Sequence, residues 1–269
     1  MPRTFFVTGC ASGIGRDLAG RILRDGGRLT ATDLDVDALR RVADEDRWPE
    51  DAVAIGRLDV TDAEQWRSKW DQATQRFGDV DVLVNMAGYL RSAWVHEIED
   101  PDVARHFDVN VRGVVLGTRT AAQAMRPRGR GHIVNVASLA ALAPIPGLSL
   151  YSASKFAVRA FSLAAAQELR PHGVAVTVVC PDAVATPMLD RQKDREEAAL
   201  TFSGPRVLAP SEVSDAIVGD VLARRPLEVF LPPSRGWLAR VADVFPRTAT
   251  AVAPLLRRRG RTRQRDFDR

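Results

Sequence analysis

The chain alternates between short apolar, β-branched runs and longer segments of helical period, and this alternation constrains its fold more than any other feature. The strand-like runs cover residues 4–8, 28–33, 52–59, 80–85, 131–137, 174–180 and 227–231. Helical segments separate them, and the two longest span residues 101–126 and 151–170. Strands separated by helices build parallel βαβ units. The sequence therefore predicts a single doubly wound α/β domain, with a mostly parallel sheet and helices on both faces.

Composition narrows the class of protein and its compartment. The 269 residues are 45% hydrophobic and 27% charged, which is ordinary for a globular protein. Cys10 and Cys180 cannot build a disulfide framework, which indicates a reducing compartment. No signal-peptide pattern and no apolar run of about 18 residues is present, so we expect a cytoplasmic protein. The four histidines lack ligand spacing, and no metal is expected.

The end of the chain differs from the rest in charge and patterning. Residues 257–269 contain seven arginines and two aspartates, within a net charge of +4 for the whole chain. Upstream, apolar residues recur near helical spacing at Trp237, Leu238, Val241, Val244 and Phe245. We therefore divide the chain into a catalytic domain, 1–234, and an amphipathic, Arg-rich extension, 235–269. The apolar stripe covers a neighbouring subunit or the protein's own core, or else lies on an anionic membrane. Nucleic-acid binding is not expected, because no groove-reading element accompanies the arginines.

A glycine-rich loop joins the first strand to the first helix. Residues 8–15 read TGCASGIG, and the glycines permit a tight turn, close approach of the backbone to a pyrophosphate, and close helix packing. The N–H groups at the start of the helix can then bind phosphate. Because the loop lies between a strand and a helix, it predicts nucleotide binding through Gly9, Ser12, Gly13, Ile14 and Gly15.

The second strand ends in a carboxylate. Asp33 lies 18 residues beyond Gly15, where it can accept hydrogen bonds from both adenosine ribose hydroxyls and repel a 2′-phosphate. Alternatively, Asp33 only starts a turn. Ser12 and Leu34 stand where an NADP-binding chain is expected to carry Arg or Lys. The sequence therefore favours NAD over NADP.

Tyr151 and Lys155 are four residues apart on a predicted helix, so that the phenol and the ammonium share a face. Ser138 follows the end of a strand, where α/β sheets open toward ligands, and Asn110 lies within the preceding long helix. Singly, Ser138 and Asn110 would be interpreted as caps and Lys155 as a solvated side chain. Their consistent placement favours a catalytic set.

Together these motifs resemble the short-chain dehydrogenase/reductase family over about residues 4–232. The matching elements are residues 8–15, Asp59-Val60, Asn85-Met86-Ala87-Gly88, Asn110, Ser138, the Tyr151 to Lys155 motif and residues 181–186. The resemblance implies a Rossmann-type sheet of order 3-2-1-4-5-6-7 and a homodimer or homotetramer. It also implies cofactor contacts from Asp59, Val60, Asn85, Ala87, Gly88, Tyr151, Lys155, Pro181, Val184 and Thr186. Asp182 departs from the family pattern, which has glycine there.

The expected mechanism is proton transfer by Tyr151. Lys155 and oxidised nicotinamide would both favour the phenolate and lower the pKa of Tyr151. Ser138 would hydrogen-bond the substrate oxygen. The resemblance implies that Lys155 binds the nicotinamide ribose, and that Asn110 holds a water linking Lys155 to solvent.

The segments expected around the substrate are apolar. Residues 139–150, Leu90, Trp94, Met188 and Leu189 favour a lipophilic small molecule, and residues 187–205 are interpreted as a lid. We therefore predict an NAD-dependent oxidoreductase that interconverts a secondary alcohol and a ketone or aldehyde. An NADP-dependent carbonyl reductase is the first alternative. A non-catalytic NAD(H)-binding regulator is the second, although it would not require Ser138, Tyr151 and Lys155 together.

Overall fold

Seven parallel strands form one sheet in the computed structural model, which describes residues 2–266. The strands are β1 (Thr4–Thr8), β2 (Arg28–Asp33), β3 (Val53–Arg57), β4 (Val82–Asn85), β5 (Gly131–Val136), β6 (Val174–Pro181) and β7 (Glu228–Leu231). Their order in the sheet is β3-β2-β1-β4-β5-β6-β7, and every pairing is parallel. The predicted doubly wound sheet and its strand order are confirmed.

Helices connect the strands and continue beyond the last one. They are α1 (Gly13–Arg24), α2 (Val36–Glu45), α3 (Ala63–Phe77), α4 (Asp100–Phe107), α5 (Gly113–Met125), α6 (Ser149–Leu169), α7 (Pro187–Asp190), α8 (Pro210–Ala216), α9 (Leu222–Arg224), α10 (Pro233–Val244) and α11 (Pro246–Asp266). A π-helical turn, Asp108–Arg112, joins α4 to α5, and a 3₁₀-helical segment, Glu196–Ser203, follows α7. The long helix expected over 101–126 is therefore α4, the π turn and α5 in succession.

The core has an apolar cluster on each face of the sheet. Phe5 and Phe6 are neighbours on β1, and the pleat of the strand directs them to opposite faces. Phe5 joins a cluster that includes Leu18 of α1, whereas Phe6 packs against Trp66 and Trp70 of α3 with ring centroids 5.5 Å apart. Helices therefore bury both faces, as the near-continuous apolar strands require.

The C-terminal helices return toward the main domain. Helix α11 packs along Glu196–Ser203. All five residues of the apolar stripe expected near α10 are exposed, namely Trp237, Leu238, Val241, Val244 and Phe245. Within residues 2–266, no helix is both long and apolar enough to cross a bilayer. The last part of the arginine cluster, residues 267–269, lies outside the described residues.

His132 of β5 makes stability depend on pH. Its Nε2 lies 2.9 Å from Thr177 Oγ1, which itself donates to the Pro226 carbonyl, so His132 donates through Nε2. Burial, with smaller contributions from Arg225 and Arg3, lowers the pKa of His132 from 6.5 to about 4. The unfolded chain therefore takes up this proton at a higher pH than the folded protein does. Folding is destabilised as the pH falls through this window.

We expect the free energy of unfolding to fall by about 3 kcal/mol between pH 6.5 and 4 because of this one side chain. His132→Gln, which keeps a donor for Thr177, should remove that part of the pH dependence in urea titrations. His96 is exposed, so His96→Gln is the matched control. Equal pH dependence in both variants would contradict the assignment.

Candidate functional site

A cleft of about 500 Å³ lies at the carboxyl ends of the strands, and most of the predicted site residues line it. These are Gly9, Ser12, Gly13, Ile14, Gly15, Asp33, Asp59, Val60, Ala87, Gly88, Ser138, Tyr151, Lys155, Pro181, Val184 and Thr186. Asn85 and Asn110 are buried behind its surface. One continuous cleft thus joins the glycine-rich loop to the Tyr151–Lys155 pair.

The glycine loop packs so closely that side chains at Gly13 and Gly15 would collide with neighbouring atoms. Gly9 and Gly13 have φ angles of +75° and +55°, a region that glycine adopts readily. A Cβ atom on Gly15 would lie 1.9 Å from the carbonyl oxygen of Gly9, and one on Gly13 would lie 2.9 Å from Thr186 Cγ2. Helix α1 begins at Gly13, with Ser12 as its N-cap residue. The backbone and the start of the helix therefore fit the pyrophosphate of a dinucleotide.

Asp33 combines a structural contact with a place in the cleft. Its Oδ2 accepts a hydrogen bond from the Ala11 N–H at 2.9 Å, which fixes the glycine loop. Its Oδ1 accepts from the Asp35 N–H at 3.1 Å, which is the turn role considered as the alternative. A carboxylate has about four acceptor sites, so capacity remains for ribose hydroxyls. Leu34, which is 51% exposed, lines the cleft beside it.

Ser138, Tyr151 and Lys155 meet where β5 ends against α6. Burial raises the pKa of Tyr151 to about 12, and a hydrogen bond with Ser138 acts in the opposite direction. Burial also lowers the pKa of Lys155 to about 8. Its ammonium donates to the Val136 carbonyl at 2.9 Å and lies 5.6 Å from the centroid of the Tyr151 ring. Burial therefore raises the pKa of Tyr151, whereas the Tyr–Lys spacing alone suggests that the pKa is lowered.

Ser138 has further partners within the protein, and Lys155 is buried. Ser138 Oγ accepts from the Ala140 N–H at 3.1 Å, so Ser138 also caps the turn that follows it. That capping contact is the alternative considered for Ser138, and the Ser138 hydroxyl also donates to the Pro181 carbonyl at 3.4 Å. Lys155 is only 4% exposed, so the alternative of a solvated side chain is wrong. The arrangement supports proton transfer at the phenol, with a hydroxyl and an ammonium beside it.

Asn110 and Asn85 stabilise the walls of the cleft from behind. Asn110 lies in the π turn; its Oδ1 accepts from the Tyr89 N–H, and its Nδ2 donates to the Tyr89 carbonyl and to Ser154 Oγ. Both amide hydrogens are thus used to tie the loop after β4 to α6. Asn85 Nδ2 donates to Asn135 Oδ1 at 2.8 Å within the core. The cofactor contact of Asn85 and the water-holding role of Asn110 remain predictions.

The residue that replaces the family glycine has a charged partner. Arg235 Nε on α10 donates to Asp182 Oδ2 at 2.8 Å, and the two side chains are only 22% and 13% exposed. Both residues line the cleft. Asp182 is evident from the sequence as a departure from the family pattern, whereas Arg235 is not, because the two are 53 positions apart and no local pattern joins them. Asp182 therefore anchors the start of the C-terminal helices to the end of β6.

The substrate side of the cleft is apolar where the sequence predicted it to be, with one exception. Leu90, Leu139, Ile145, Leu148, Met188 and Leu189 line it. Trp94 instead lies against the Arg257 guanidinium, whose carbon is 4.4 Å from the ring centroid. Leu256 of α11 and Ala239 and Ala242 of α10 also line the cleft and were not predicted from the sequence. The predicted lid contains α7 and the 3₁₀-helical segment, and α11 packs on it.

Comparisons with known proteins agree with this geometry. The family model described as "short chain dehydrogenase" matches residues 3–197. The chain is 34% identical to a cyclopentanol dehydrogenase of Comamonas over 220 residues, 80% of this chain and 88% of that protein. It is 35% identical to a 3-alpha-(or 20-beta)-hydroxysteroid dehydrogenase of Mycobacterium bovis, covering 79% of each chain. A crystal structure of a short chain dehydrogenase/reductase from Burkholderia phymatum in complex with NAD superposes with a TM-score of 0.80. That structure shares 30% identity and covers 89% of this chain and 92% of its own.

Proposed function

Because the chain belongs to the short-chain dehydrogenase/reductase family of oxidoreductases that act on CH–OH groups, we propose that it interconverts a secondary alcohol and a ketone on a lipophilic molecule, with NAD as its cofactor. The observation that carries this proposal is the convergence of Ser138, Tyr151 and Lys155 in the same cleft as the glycine-rich loop. A bound dinucleotide would supply the hydride acceptor. The chain's own side chains transfer the proton and stabilise the charge that develops on the substrate oxygen.

Each group has a defined task. Tyr151 removes the hydroxyl proton during oxidation and returns it during reduction. Ser138 donates a hydrogen bond to the substrate oxygen and stabilises negative charge there. With a pKa of about 8, Lys155 remains largely protonated at neutral pH, so its charge favours the phenolate when Tyr151 acts as the base. Because burial holds the pKa of Tyr151 high, this positive charge is needed most in the oxidation direction.

The preference for NAD is argued from charge at the ribose end of the cleft. Asp33 lines the cleft there, and the next residue is Leu34 rather than a cation. The nearby Arg16 is paired with Asp46 and Glu45. A 2′-phosphate would therefore meet a carboxylate, and like charges brought together in a binding site cost several kcal/mol.

We expect kcat/KM with NAD to exceed that with NADP by about 100-fold. Asp33→Asn keeps an oxygen for the Ala11 N–H but removes the charge, so this ratio should fall by about tenfold or more. Asp37 is a nearby carboxylate on α2 that pairs with Arg40, and Asp37→Asn is the matched control. Steady-state kinetics with both nucleotides measure the ratio, and equal use of the two by the unaltered protein would contradict the proposal.

The lipophilic substrate is supported by the lining of the cleft near Tyr151. Leu139, Ile145, Leu148 and Leu189 contribute apolar side chains to it, and such surfaces favour ligands that bury hydrocarbon. Screening the purified protein with NAD and NADP against panels of alcohols and ketones tests this. Turnover confined to small, strongly polar alcohols would contradict it.

A further inference from the structure

The outer wall of the cleft is built by α10 and α11, which follow β7. The match to the family model ends at residue 197, so this wall comes from a part of the chain that the family pattern does not cover. Leu238 and Ala242 of α10 and Leu256 of α11 line the cleft. Leu200 of the 3₁₀-helical segment lines it as well.

Helix α11 is fixed in place by specific contacts. Gln264, which is buried, donates through Nε2 to the carbonyls of Gln192 and Arg195 at 2.8 and 2.9 Å. Arg257 and Arg261 both pair with Glu196. Gly260 lies so close to the Ala199 carbonyl that a Cβ there would be 2.0 Å from its oxygen. The position of α11 over the segment 196–203 is therefore determined by close packing as well as by charge.

Helix α10 is anchored in the same way at its start. Arg235 pairs with Asp182 at the end of β6, as described above. One residue later, Gly236 packs on Phe230 of β7, where a Cβ would lie 2.2 Å from Phe230 Cβ. Each of the two helices therefore has its own contacts that hold it against the cleft.

Gln192, Thr201 and Arg235, which line the cleft on this side, have hydrogen-bond partners within the protein. Gln192 donates to the Met188 carbonyl at 3.0 Å and accepts from Thr201 Oγ1 at 3.3 Å. The guanidinium of Arg235 is engaged by Asp182. A ligand against Leu200, Leu238, Ala242 and Leu256 therefore meets hydrocarbon, which favours apolar groups over polar ones.

We propose that Leu200, Leu238, Ala242 and Leu256 form a subsite that binds the hydrocarbon body of the substrate, so that the C-terminal helices select substrates by their length. The proposal rests on the proposed function for the identity of the reacting group. The subsite itself rests only on the packing of α10 and α11.

Adjacent leucines on α11 provide a matched pair for the test. Leu256 lines the cleft, whereas Leu255 is 69% exposed. Leu256→Trp should shorten the subsite and Leu256→Ala should lengthen it. Leu255→Trp adds the same side chain outside the cleft and serves as the control.

The probes are methyl ketones from 2-butanone to 2-undecanone, whose binding is measured by calorimetry with and without NAD, with which a ketone cannot react. The corresponding secondary alcohols are assayed for turnover with NAD. In the unaltered protein and in Leu255→Trp, affinity and kcat/KM should rise about fourfold per added methylene until the subsite is full. In Leu256→Trp the rise should stop at a shorter chain, and in Leu256→Ala at a longer one. Thermal unfolding checks that each variant is folded.

Different results would refute the subsite and the proposed function. Ketone binding that depends on length and on Leu256, without oxidation of any alcohol, would refute the proposed function and support the subsite. Turnover of short alcohols with no dependence on length would overturn the subsite and leave the proposed function standing. Identical profiles for Leu256→Trp and Leu255→Trp would also overturn the subsite.

Discussion

Tyr151→Phe is expected to lower kcat/KM for alcohol oxidation by about a thousandfold, with the affinity for NADH changed by no more than about twofold. The substitution removes only the hydroxyl, so the ring and its packing against Lys155 are retained. Without the hydroxyl, no group at that position can take the proton from the substrate. Steady-state kinetics and fluorescence titration with NADH measure the two quantities separately.

The second tyrosine of the chain provides the control for this experiment. Tyr89 also lines the cleft, but its hydroxyl donates to Asp102 Oδ1 at 2.9 Å and is thereby engaged away from the proposed proton transfer. We expect Tyr89→Phe to reduce turnover by less than about tenfold. Normal turnover in Tyr151→Phe, or an equal loss in the two variants, would remove Tyr151 from the mechanism.

The fold could be predicted from the sequence because its signals are local. Apolar runs of four to eight residues and a glycine-rich turn before a helix each depend on neighbouring positions. The strand expected over 52–59 is shorter in the structure, at Val53–Arg57, because Leu58 and Asp59 already belong to the loop that enters the cleft. The π turn at Asp108–Arg112 was not predicted. A helical period cannot indicate the extra residue that makes such a turn, and Asn110 gains its contacts to Tyr89 and Ser154 there.

The residues of the site could be predicted from the sequence, but the shifts of their pKa values could not. A spacing of four residues places Tyr151 and Lys155 on one helix face, yet it carries no information on burial. Burial raises the pKa of Tyr151 and lowers that of Lys155, and the Val136 carbonyl holds the ammonium. The contacts of the C-terminal wall could not be predicted from the sequence for a related reason. Arg261 contacts Glu196 across 65 positions, and the sequence alone describes it only as one arginine in a charged run.

The second large effect is expected at the glycine loop. Gly15→Ala would place a Cβ 1.9 Å from the Gly9 carbonyl oxygen, and this contact involves backbone that no side-chain rotation can relieve. The loop and the start of α1 must therefore move apart by more than 1 Å. A displacement of about 1 Å can cost about 100-fold in rate at a catalytic site, and we expect a loss of the same order where the backbone N–H groups are moved away from the pyrophosphate. We expect NADH affinity to fall by about that factor, as measured by fluorescence titration.

Two other glycines provide variants for which smaller effects on NADH binding are expected. Gly13→Ala meets the end of a side chain, Thr186 Cγ2 at 2.9 Å, which can shift, but its φ of +55° disfavours alanine; we expect a loss of about tenfold. Gly219 lies in a helical segment with nothing within 4 Å of its Cβ position, so Gly219→Ala should preserve NADH binding and stabilise the fold by up to about 1 kcal/mol. If Gly15→Ala and Gly219→Ala bound NADH equally well, the close contact between the loop and α1 could not be what shapes the phosphate site.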